Sequence, residues 1–594
     1  MPRRVASPGA HLPAQMPSMN AHIARIFAEI ADMLEILGEV VYKAVAYRRV
    51  ADAVERHPQD VAALFRAGTP PKIVGAGPAL QAKLQELAET GRLEYYDRLR
   101  AQVPDGLLDM LRVQGVGPRT VKLLHDALGI DSVEALRAAA ETGALRGLKG
   151  LSERTEENIL AGIANLDRRY TRLLIHDADR LVADLIARLR EVRGVTAIEP
   201  AGSLRRRRTT IGDLDLLAAS SEPASLVAAL DGLPEVERVL SAGSDKSSIV
   251  LADGPQVDLM ICAPEAWGTH LVHFTGSKEH NVRLRGRALD RGLSLSEKGF
   301  KVVETGELLL EAKEEAVYAR LDLPWIPPEL REDGGEIEAA LEGRLPVLVE
   351  LDDLRGDTHI HSDWTDGVHP IAEMARAARA LGREYVVLTD HSPSLGITRG
   401  LTADRVRAQR DEVRRLNAEL APFRILHGTE MEILADGSLD YPDELLAGYD
   451  IVIASIHSGQ RQPTARLTER ALAAIENPHV DVIAHPSGRI VNAREGYRLD
   501  WPRIFDAAAR TATLLEINSS PRMDLDADLT RAAAARGARL TIATDSHRLA
   551  ELGNLRYGVD IARRAWLTAD QVATTRSAEE LLSLVGRRAV GAAV

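Results

Sequence analysis

The chain has 594 residues, of which 45% are hydrophobic and only one, Cys262, is a cysteine. At roughly 150 residues per domain, this length predicts about four domains. A single cysteine excludes a disulfide framework and an all-cysteine metal site, which is typical of a reducing cytosol. The net charge of −13 does not decide for or against nucleic acid, because binding needs only a local basic face. No apolar run reaches the ~20 residues of a membrane helix, so we expect a cytoplasmic protein without membrane contact.

The first third of the chain has the pattern of helices. Apolar residues recur at helical spacing from residue 20 to residue 66. The segments VGAGPALQAKLQ and VQGVGPRTVKLL each place a Gly-x-Gly-Pro turn directly before a predicted helix. For one copy, ordinary helix punctuation is an equal alternative to an anion site at the helix start. Two copies favour contact with phosphates.

From about residue 195, short alternating apolar runs indicate a sheet. Asp213 and Asp215 in GDLDLL are two residues apart, so on a strand both side chains leave the same face. Asp258, in the later run QVDLMI, can add a third carboxylate from a neighbouring strand. Three such carboxylates suit Mg²⁺ bound together with substrate phosphates. A polar strand end is the alternative, because Asp-x-Asp alone is a common pattern.

A Gly-Ser pair and a run of four arginines, 205–208, precede these aspartates. Arginine offers a planar fork of donors to phosphate, although most charge runs are simply solvated. The position of this run beside the acidic pair favours binding of a triphosphate.

Together these motifs resemble the nucleotidyltransferase palm, and HFTGSKEHN and LPWIPPELRE are similar to segments of family X DNA polymerases. The resemblance implies that Asp213, Asp215 and Asp258 bind Mg²⁺ or Mn²⁺ and are catalytic, with Asp258 helping to activate the primer 3′-hydroxyl. The nucleotide contacts that it implies are Gly202, Ser203, Arg206, Gly212, His273, Phe274, Gly276 and Asn281. Many relatives have Tyr-Phe where this chain has His273-Phe274, so the resemblance does not predict how ribonucleotides are excluded.

The glycine turns of the first third resemble helix-hairpin-helix elements, which hold DNA backbone phosphates. The glycines concerned are Gly75, Gly77, Gly115 and Gly117. The first segment also resembles the lyase-type domain of the same family, in which positions matching Tyr47 and Lys83 act on a 5′-phosphate or an abasic sugar. A solvated lysine is the alternative for Lys83, because Schiff-base chemistry requires a lowered pKa.

The last 240 residues show a third pattern, in which apolar strand-like runs end in a polar residue and a helical stretch follows. These ends are His359, His391, Glu430, His457, His485, Glu516 and Asp545, at separations of 27 to 39 residues. Each separation fits one strand, one helix and two loops. Seven such units predict a closed parallel barrel of TIM type, in which the strand ends converge on one rim.

The ligand-type residues at these ends look like the PHP (polymerase and histidinol phosphatase) domain. The resemblance implies a three-metal cluster with nine ligands: His359, His361, Asp366, His391, Glu430, His457, His485, Asp545 and His547. Mixed imidazole and carboxylate donors suit Zn²⁺, Mn²⁺ or Fe²⁺, and the implied chemistry is phosphodiester hydrolysis. The resemblance also suggests that Asn518 and Arg522 contact the substrate phosphate, and that Asp390 orients a ligand.

The sequence therefore predicts a multidomain, monomeric family X DNA polymerase with an all-α helix-hairpin-helix region, an α+β palm with a small thumb, and an α/β PHP barrel. The expected segments are a disordered tail (1–18), a lyase-like domain (19–95), fingers (96–165), palm (166–264), thumb (265–330), linker (331–354) and PHP domain (355–594). We expect it to fill short gaps in DNA repair from dNTPs on gapped or nicked DNA, and to trim 3′ ends as a 3′→5′ exonuclease. Abasic-site endonuclease and 3′-phosphodiesterase activities are further expectations. The alternatives are an RNA-type nucleotidyltransferase fused to a phosphatase, and a non-catalytic DNA-end scaffold.

Overall fold

The structure is a computed structural model. It describes residues 19–55, 57, 60–73, 75–111, 113, 116–148, 151–169, 172–252, 254–395 and 398–586. The tail predicted over 1–18, and Gly115 of the second glycine turn, lie outside the described residues. Contacts divide the chain into two compact units, Met1–Thr171 with Asn281–Leu295, and Arg172–His280 with Ser296–Val594.

The first unit is helical, as the spacing of its apolar residues predicts. Its helices before residue 170 are α1 (Met19–Ile36), α2 (Val41–Glu55), α3 (Val61–Arg66), α4 (Pro78–Thr90), α5 (Glu94–Arg100), α6 (Asp105–Met110), α7 (Pro118–Leu128), α8 (Val133–Glu141) and α9 (Glu153–Arg169). Ile23, Phe27, Ile30 and Leu34 occupy one face of α1 and are fully buried in its core. Both predicted glycine turns are followed by a helix, α4 and α7, that begins with proline.

The first part of the second unit contains a five-stranded sheet and a separate two-stranded pair. Its strands and helices are β1 (Leu173–Leu174), α10 (Ile175–Arg190), β2 (Val195–Pro200), α11 (Gly202–Arg205), β3 (Thr210–Ile211), β4 (Leu214–Ser220), α12 (Pro223–Asp231), β5 (Val236–Ala242), β6 (Lys246–Leu251), β7 (Gln256–Cys262) and α13 (Trp267–Thr275). The sheet order is β2-β4-β7-β6-β5, with β1 and β3 forming a separate pair. The central strands β4 and β7 run parallel and the other neighbours run antiparallel. This order places the predicted acidic strands side by side.

Small elements link this sheet to the barrel. They are α14 (Lys278–Leu289), β8 (Leu293–Ser296), β9 (Gly299–Val302), β10 (Leu308–Leu309), α15 (Glu314–Ala319) and α16 (Glu336–Leu341). The connector after residue 331 contains one short α-helix, α16. A single turn of 3₁₀ helix, Leu351–Asp353, follows it.

Seven parallel strands form the C-terminal barrel. They are β11 (Gly356–Ile360), β12 (Tyr385–Leu388), β13 (Arg424–Glu432), β14 (Ile451–Ser455), β15 (Val482–Ile483), β16 (Leu514–Asn518) and β17 (Leu540–Ala543). The strands neighbour one another in chain order, and a parallel bridge between Ile360 and Ser546 joins the two ends of the sheet. The prediction of seven β/α units is confirmed.

Helices surround these strands. They are α17 (Ile371–Ala380), α18 (Ala403–Leu420), α19 (Asp443–Leu446), α20 (Thr464–Ile475), α21 (Trp501–Thr511), α22 (Ala527–Ala535), α23 (Leu555–Arg564) and α24 (Ala578–Leu584). Because helices cover the outside and side chains fill the inside, almost every strand residue is buried. In the part of the chain that the structure describes, no helix is both long enough and apolar enough to cross a membrane.

Two candidate metal centres

Three carboxylates meet near the N-terminal ends of the two central strands of the five-stranded sheet. Asp215 on β4 and Asp258 on β7 are register partners on parallel strands, and Asp213 directly precedes β4. One oxygen atom of each lies within 4.8 Å of the others. Gln256 donates to Asp258 at 3.0 Å, and the Ser248 hydroxyl donates to the same carboxylate. The structure therefore brings together the three aspartates that the sequence singles out.

The electrostatics of this cluster fit a divalent cation. Burial, together with repulsion from Asp213 and Asp258, raises the pKa of Asp215 to about 7. A cation bound among the three carboxylates would relieve this repulsion. Because every donor is a carboxylate oxygen, the set suits a hard ion such as Mg²⁺.

Glycine is required at position 202 by the close approach of the backbone to Asp215. Gly202 has a φ of +54°, and a Cβ atom there would lie 1.9 Å from Oδ2 of Asp215. The next residue, Ser203, is half-buried in the single helical turn α11. The predicted Gly-Ser turn is thus the start of a short helix beside the carboxylates.

The four arginines that follow have different environments. Arg205 donates to both oxygens of Glu314, at 2.9 and 2.8 Å. Arg207 donates to both oxygens of Asp179, each at 2.7 Å. Carboxylates of the protein therefore balance the charges of Arg205 and Arg207. The expectation that all four arginines bind a triphosphate does not hold for these two. Arg206 also pairs with a carboxylate, Glu332 at 3.0 Å, and is 15% exposed, whereas Arg208 is exposed.

The other predicted nucleotide contacts within the second unit lie on α13, directly after it, or next to the aspartates in the chain. Arg206 donates to the carbonyl of Thr275 at 2.6 Å, and a Cβ at Gly276 would be 3.1 Å from its Nη1. His273 and Phe274 form the last turn of α13, with their rings edge to face at 4.9 Å. Gly212 is exposed just before Asp213. Asn281 is buried in α14 and belongs to the other compact unit.

All nine predicted ligands of the barrel lie at one end of its strands. They form three overlapping groups, each with ligand atoms within 4.8 Å of one another: His361, Asp366, His391 and His547; His359, His361, Glu430 and Asp545; and Glu430, His457 and His485. His361 and Glu430 each belong to two groups. A carboxylate has two oxygens, so Glu430 can serve two neighbouring groups.

Glu430 is at the centre of the cluster. Its carboxylate lies 2.8 Å from Nε2 of His485, 3.2 Å from Nδ1 of His391 and 3.3 Å from Nε2 of His359. Nε2 of His361 is only 3.1 Å from Nε2 of His359. Burial and the neighbouring imidazoles lower the pKa of His361 to about 3, so this ring is neutral and has a lone pair available for a metal.

The donor set of the barrel also fits metal ions. Nδ1 of His361 and Nδ1 of His485 are buried and have no hydrogen-bond partner among the described residues, an arrangement that is unfavourable unless another group binds there. Imidazole nitrogens mixed with carboxylate oxygens suit Zn²⁺, Mn²⁺ or Fe²⁺ better than Mg²⁺.

Two carboxylates that the sequence analysis did not assign support these rings. Glu516 lies 2.7 Å from Nδ1 of His359 and also accepts the backbone N–H of His485 at 2.6 Å. Glu432 lies 3.0 Å from Nδ1 of His457. The strand-end spacing includes Glu516, but only its contact with His359 shows that it orients a ligand.

The other residues predicted for this site, Asp390, Asn518 and Arg522, make different contacts around the cluster. Asp390 accepts hydrogen bonds from Ser362, Thr365 and Gln409, so it supports the loop after His361 rather than a ligand ring. Asn518 is fully buried and donates to Asp545 at 3.2 Å. Nε of Arg522 lies 3.4 Å from the same carboxylate, with 23% of the side chain exposed.

In the helical unit, the structure brings the two candidate lyase residues to the same aromatic ring. Tyr47 stacks on Tyr95 at 6.0 Å, and Nζ of Lys83 lies 4.6 Å from the centre of the Tyr95 ring. Gly75 and Gly77 precede α4, and Gly117 is the residue before α7. A Cβ at Gly77 or Gly117 would meet nothing within 4 Å among the described residues, so both turns leave space beside the helix start.

Four family models match the chain in the order that the sequence predicts. They are a helix-hairpin-helix domain over residues 18–93, a SAM-like helix-hairpin-helix tandem over 107–165, a DNA polymerase beta thumb over 270–332 and a PHP domain over 357–520. These matches confirm the helix-hairpin-helix, thumb and PHP resemblances.

Among curated relatives, the chain is similar to the DNA polymerase/3'-5' exonuclease PolX of Bacillus subtilis (strain 168). The two are 37% identical over 568 residues, which covers 95% of this chain and 99% of the relative. A probable phosphatase of Thermoanaerobacter sp. (strain X514) is 28% identical over 231 residues, 37% of this chain and 89% of the phosphatase. A probable phosphatase of Syntrophotalea carbinolica is 27% identical over 241 residues, 39% of this chain and 95% of the phosphatase. The extent of the first match, together with the thumb and PHP models, shows that the chain belongs to the PolX family, the family X DNA polymerases that carry a C-terminal PHP domain.

Proposed function

We propose that this chain is a DNA-directed DNA polymerase that fills short gaps during DNA repair and that also carries a 3′→5′ exonuclease in its barrel. The observation that carries the proposal is the presence of two chemically different ligand clusters in one chain. One cluster has three carboxylates near the ends of two central sheet strands, and the other has nine imidazole and carboxylate groups at a barrel rim.

In the polymerase site, Asp213, Asp215 and Asp258 would hold Mg²⁺ or Mn²⁺. When bound there, divalent ions would help to activate the primer 3′-hydroxyl and neutralise the leaving pyrophosphate. Gly202 lets the backbone approach Asp215, and the half-buried Ser203 follows it, so both lie beside the place where the triphosphate would bind. Arg206 would supply the planar donor group, and Gly212, His273, Phe274 and Gly276, which belong to the same compact unit, would add further contacts to the nucleotide.

In the exonuclease site, the nine ligands would hold Zn²⁺, Mn²⁺ or Fe²⁺. Bound ions would activate water for attack on a phosphodiester. Glu516 and Glu432 keep the rings of His359 and His457 oriented. Arg522, partly exposed beside Asp545, would contact the substrate phosphate, while the buried Asn518 holds Asp545 in place.

The DNA itself would be bound by the helix-hairpin-helix turns at Gly75–Gly77 and Gly117, with backbone N–H groups directed at phosphates. We also propose the segment boundaries given above, with 166–264 as palm and 355–594 as PHP domain. A lyase role for Lys83 and Tyr47 is not part of the proposal: the Lys83 ammonium group contacts the ring of Tyr95.

The test is an assay on a one-nucleotide-gapped DNA duplex labelled at the 5′ end of the primer. With dNTPs and Mg²⁺ or Mn²⁺ we expect templated extension by one nucleotide, and without dNTPs and with Mn²⁺ we expect stepwise shortening from the 3′ end. The same assay with an RNA primer and no template separates the alternative of an RNA-type nucleotidyltransferase. Untemplated tailing of RNA without gap filling would contradict the proposal, and absence of both reactions with bound DNA would favour a scaffold.

A further inference from the structure

The loop that follows Ser203 is held from several sides. Arg207 has a φ of +55°, and its guanidinium donates to Asp179 and also to Asp560, at 2.7 Å. Asp560 lies on α23, the helix that follows the last barrel strand. A helix of the barrel therefore binds the side chain of Arg207, the neighbour of the proposed triphosphate ligand Arg206.

The same helix makes a second contact one turn later. Nη1 of Arg564, the last residue of α23, donates to the backbone carbonyl of Arg206 at 2.7 Å. The Arg564 side chain is only 12% exposed. A buried guanidinium that donates to a loop carbonyl restrains that carbonyl, because hydrogen bonds from charged donors are stronger than those from neutral ones. Arg564 thus restrains the backbone from which Arg206 projects.

Arg564 also shares a carboxylate with Arg206. Both guanidinium groups donate to Oε1 of Glu332, each at 3.0 Å, and Arg208 approaches the other oxygen at 3.6 Å. Three guanidinium groups therefore surround one carboxylate, and the cluster has a net positive charge. An incoming triphosphate would supply the missing negative charge, at the position where Arg206 is partly exposed.

We propose that α23 of the barrel is a positioning element of the polymerase site, in which Arg564 and Asp560 hold the loop of Arg206 for nucleotide binding. The inference rests on the proposed function, because it assigns the triphosphate to Arg206. Without Arg564, Glu332 would hold Arg206 more strongly and the Arg206 carbonyl would lose its donor. Both changes weaken triphosphate binding, and neither touches the barrel ligands.

The experiment compares the wild-type chain with Arg564→Ala in single-nucleotide gap filling at varied dNTP concentration. We expect the KM for dNTP to rise about tenfold, with kcat changed less than about threefold, because a binding contact and not a transition-state contact is lost. Shortening of the same DNA without dNTPs should stay within about twofold of wild type. Arg564→Lys, which keeps the charge but loses the planar fork of donors, should give an intermediate KM.

Arg563→Ala is the matched control. Arg563 lies on the same helix and is similarly buried, but its partners are Glu329 at 2.7 Å and the Val349 carbonyl at 3.2 Å. A general loosening of α23 would raise the KM in both alanine variants, whereas the proposed contact affects Arg564→Ala alone. Should Arg564→Ala fold poorly, as judged by its melting temperature, Asp560→Asn provides a milder perturbation, for which we expect a smaller rise in the same direction.

The outcomes separate the two proposals. If the wild-type chain fills gaps but Arg564→Ala and Asp560→Asn keep the wild-type KM, the positioning role is wrong and the polymerase assignment stands. An equal rise in Arg563→Ala also overturns the positioning role. If the wild-type chain does not extend DNA at all, the polymerase proposal fails, and the positioning role fails with it.

Discussion

Replacing Gly202 by alanine should abolish polymerisation while leaving the exonuclease intact. The new Cβ would lie 1.9 Å from Oδ2 of Asp215, whereas real Cβ atoms essentially never approach closer than 3.0 Å. The carboxylate or the backbone must therefore move by about 1 Å, and a misplacement of ~1 Å in a catalytic site can cost about 100-fold in rate. Alanine at a φ of +54° adds about 1–2 kcal/mol of backbone strain.

The assay is single-turnover gap filling, with 3′ shortening of the same DNA measured in parallel. We expect the single-turnover rate constant for extension to fall at least about 100-fold and the shortening rate to be unchanged. Gly194→Ala is the matched control, because Gly194 also has a positive φ, +86°, but its neighbours are the side chains of Glu222 and Ser221. The control should show the cost in stability without the loss of polymerisation. Extension by Gly202→Ala within about threefold of wild type would refute the steric reasoning.

Three further predictions concern the two metal centres. Asp213→Ala should abolish extension and spare the exonuclease, whereas His359→Ala should do the reverse; loss of both activities in either folded variant would contradict the division into two sites. The pKa of Asp215 is raised to about 7, so below that pH protons compete with the cation for its carboxylate. Mg²⁺ affinity should therefore rise from pH 6 to pH 8, and binding at pH 6 should release a proton, as measured by calorimetry in buffers of different ionisation enthalpy. Binding without proton release at pH 6 would count against the raised pKa. Glu516→Gln removes the carboxylate that orients His359 and should lower exonuclease activity about 10- to 100-fold. Gap filling by the same variant is the internal control. An unchanged exonuclease rate would show that Glu516 does not orient the ligand.

The local patterns of apolar and polar residues in the chain are enough to predict its helices and strands. Helical spacing predicts the first helices, because an amphipathic helix must bury one face. The regular spacing of strand ends from His359 to Asp545 predicts seven β/α units, because each unit needs a similar length of chain. Parallel strands also bring their ends to one rim, so the spacing predicts that the strand-end residues meet. The full set of nine ligands is what the resemblance to the PHP domain implies, and the structure brings all nine together.

What the sequence alone determined is therefore which side chains end the strands, and that two acidic or imidazole clusters of different composition can form. What only the tertiary structure decided is the partner of each charge. The arginines at 205–208 are equivalent in the sequence, yet Arg205 pairs with Glu314, 109 residues away, and Arg207 pairs with Asp560, 353 residues away. Ion pairs over such separations depend on how finished elements pack, and packing is not encoded in local periodicity. For the same reason, the contact between Arg564 and the loop of Arg206 is visible only in the folded molecule.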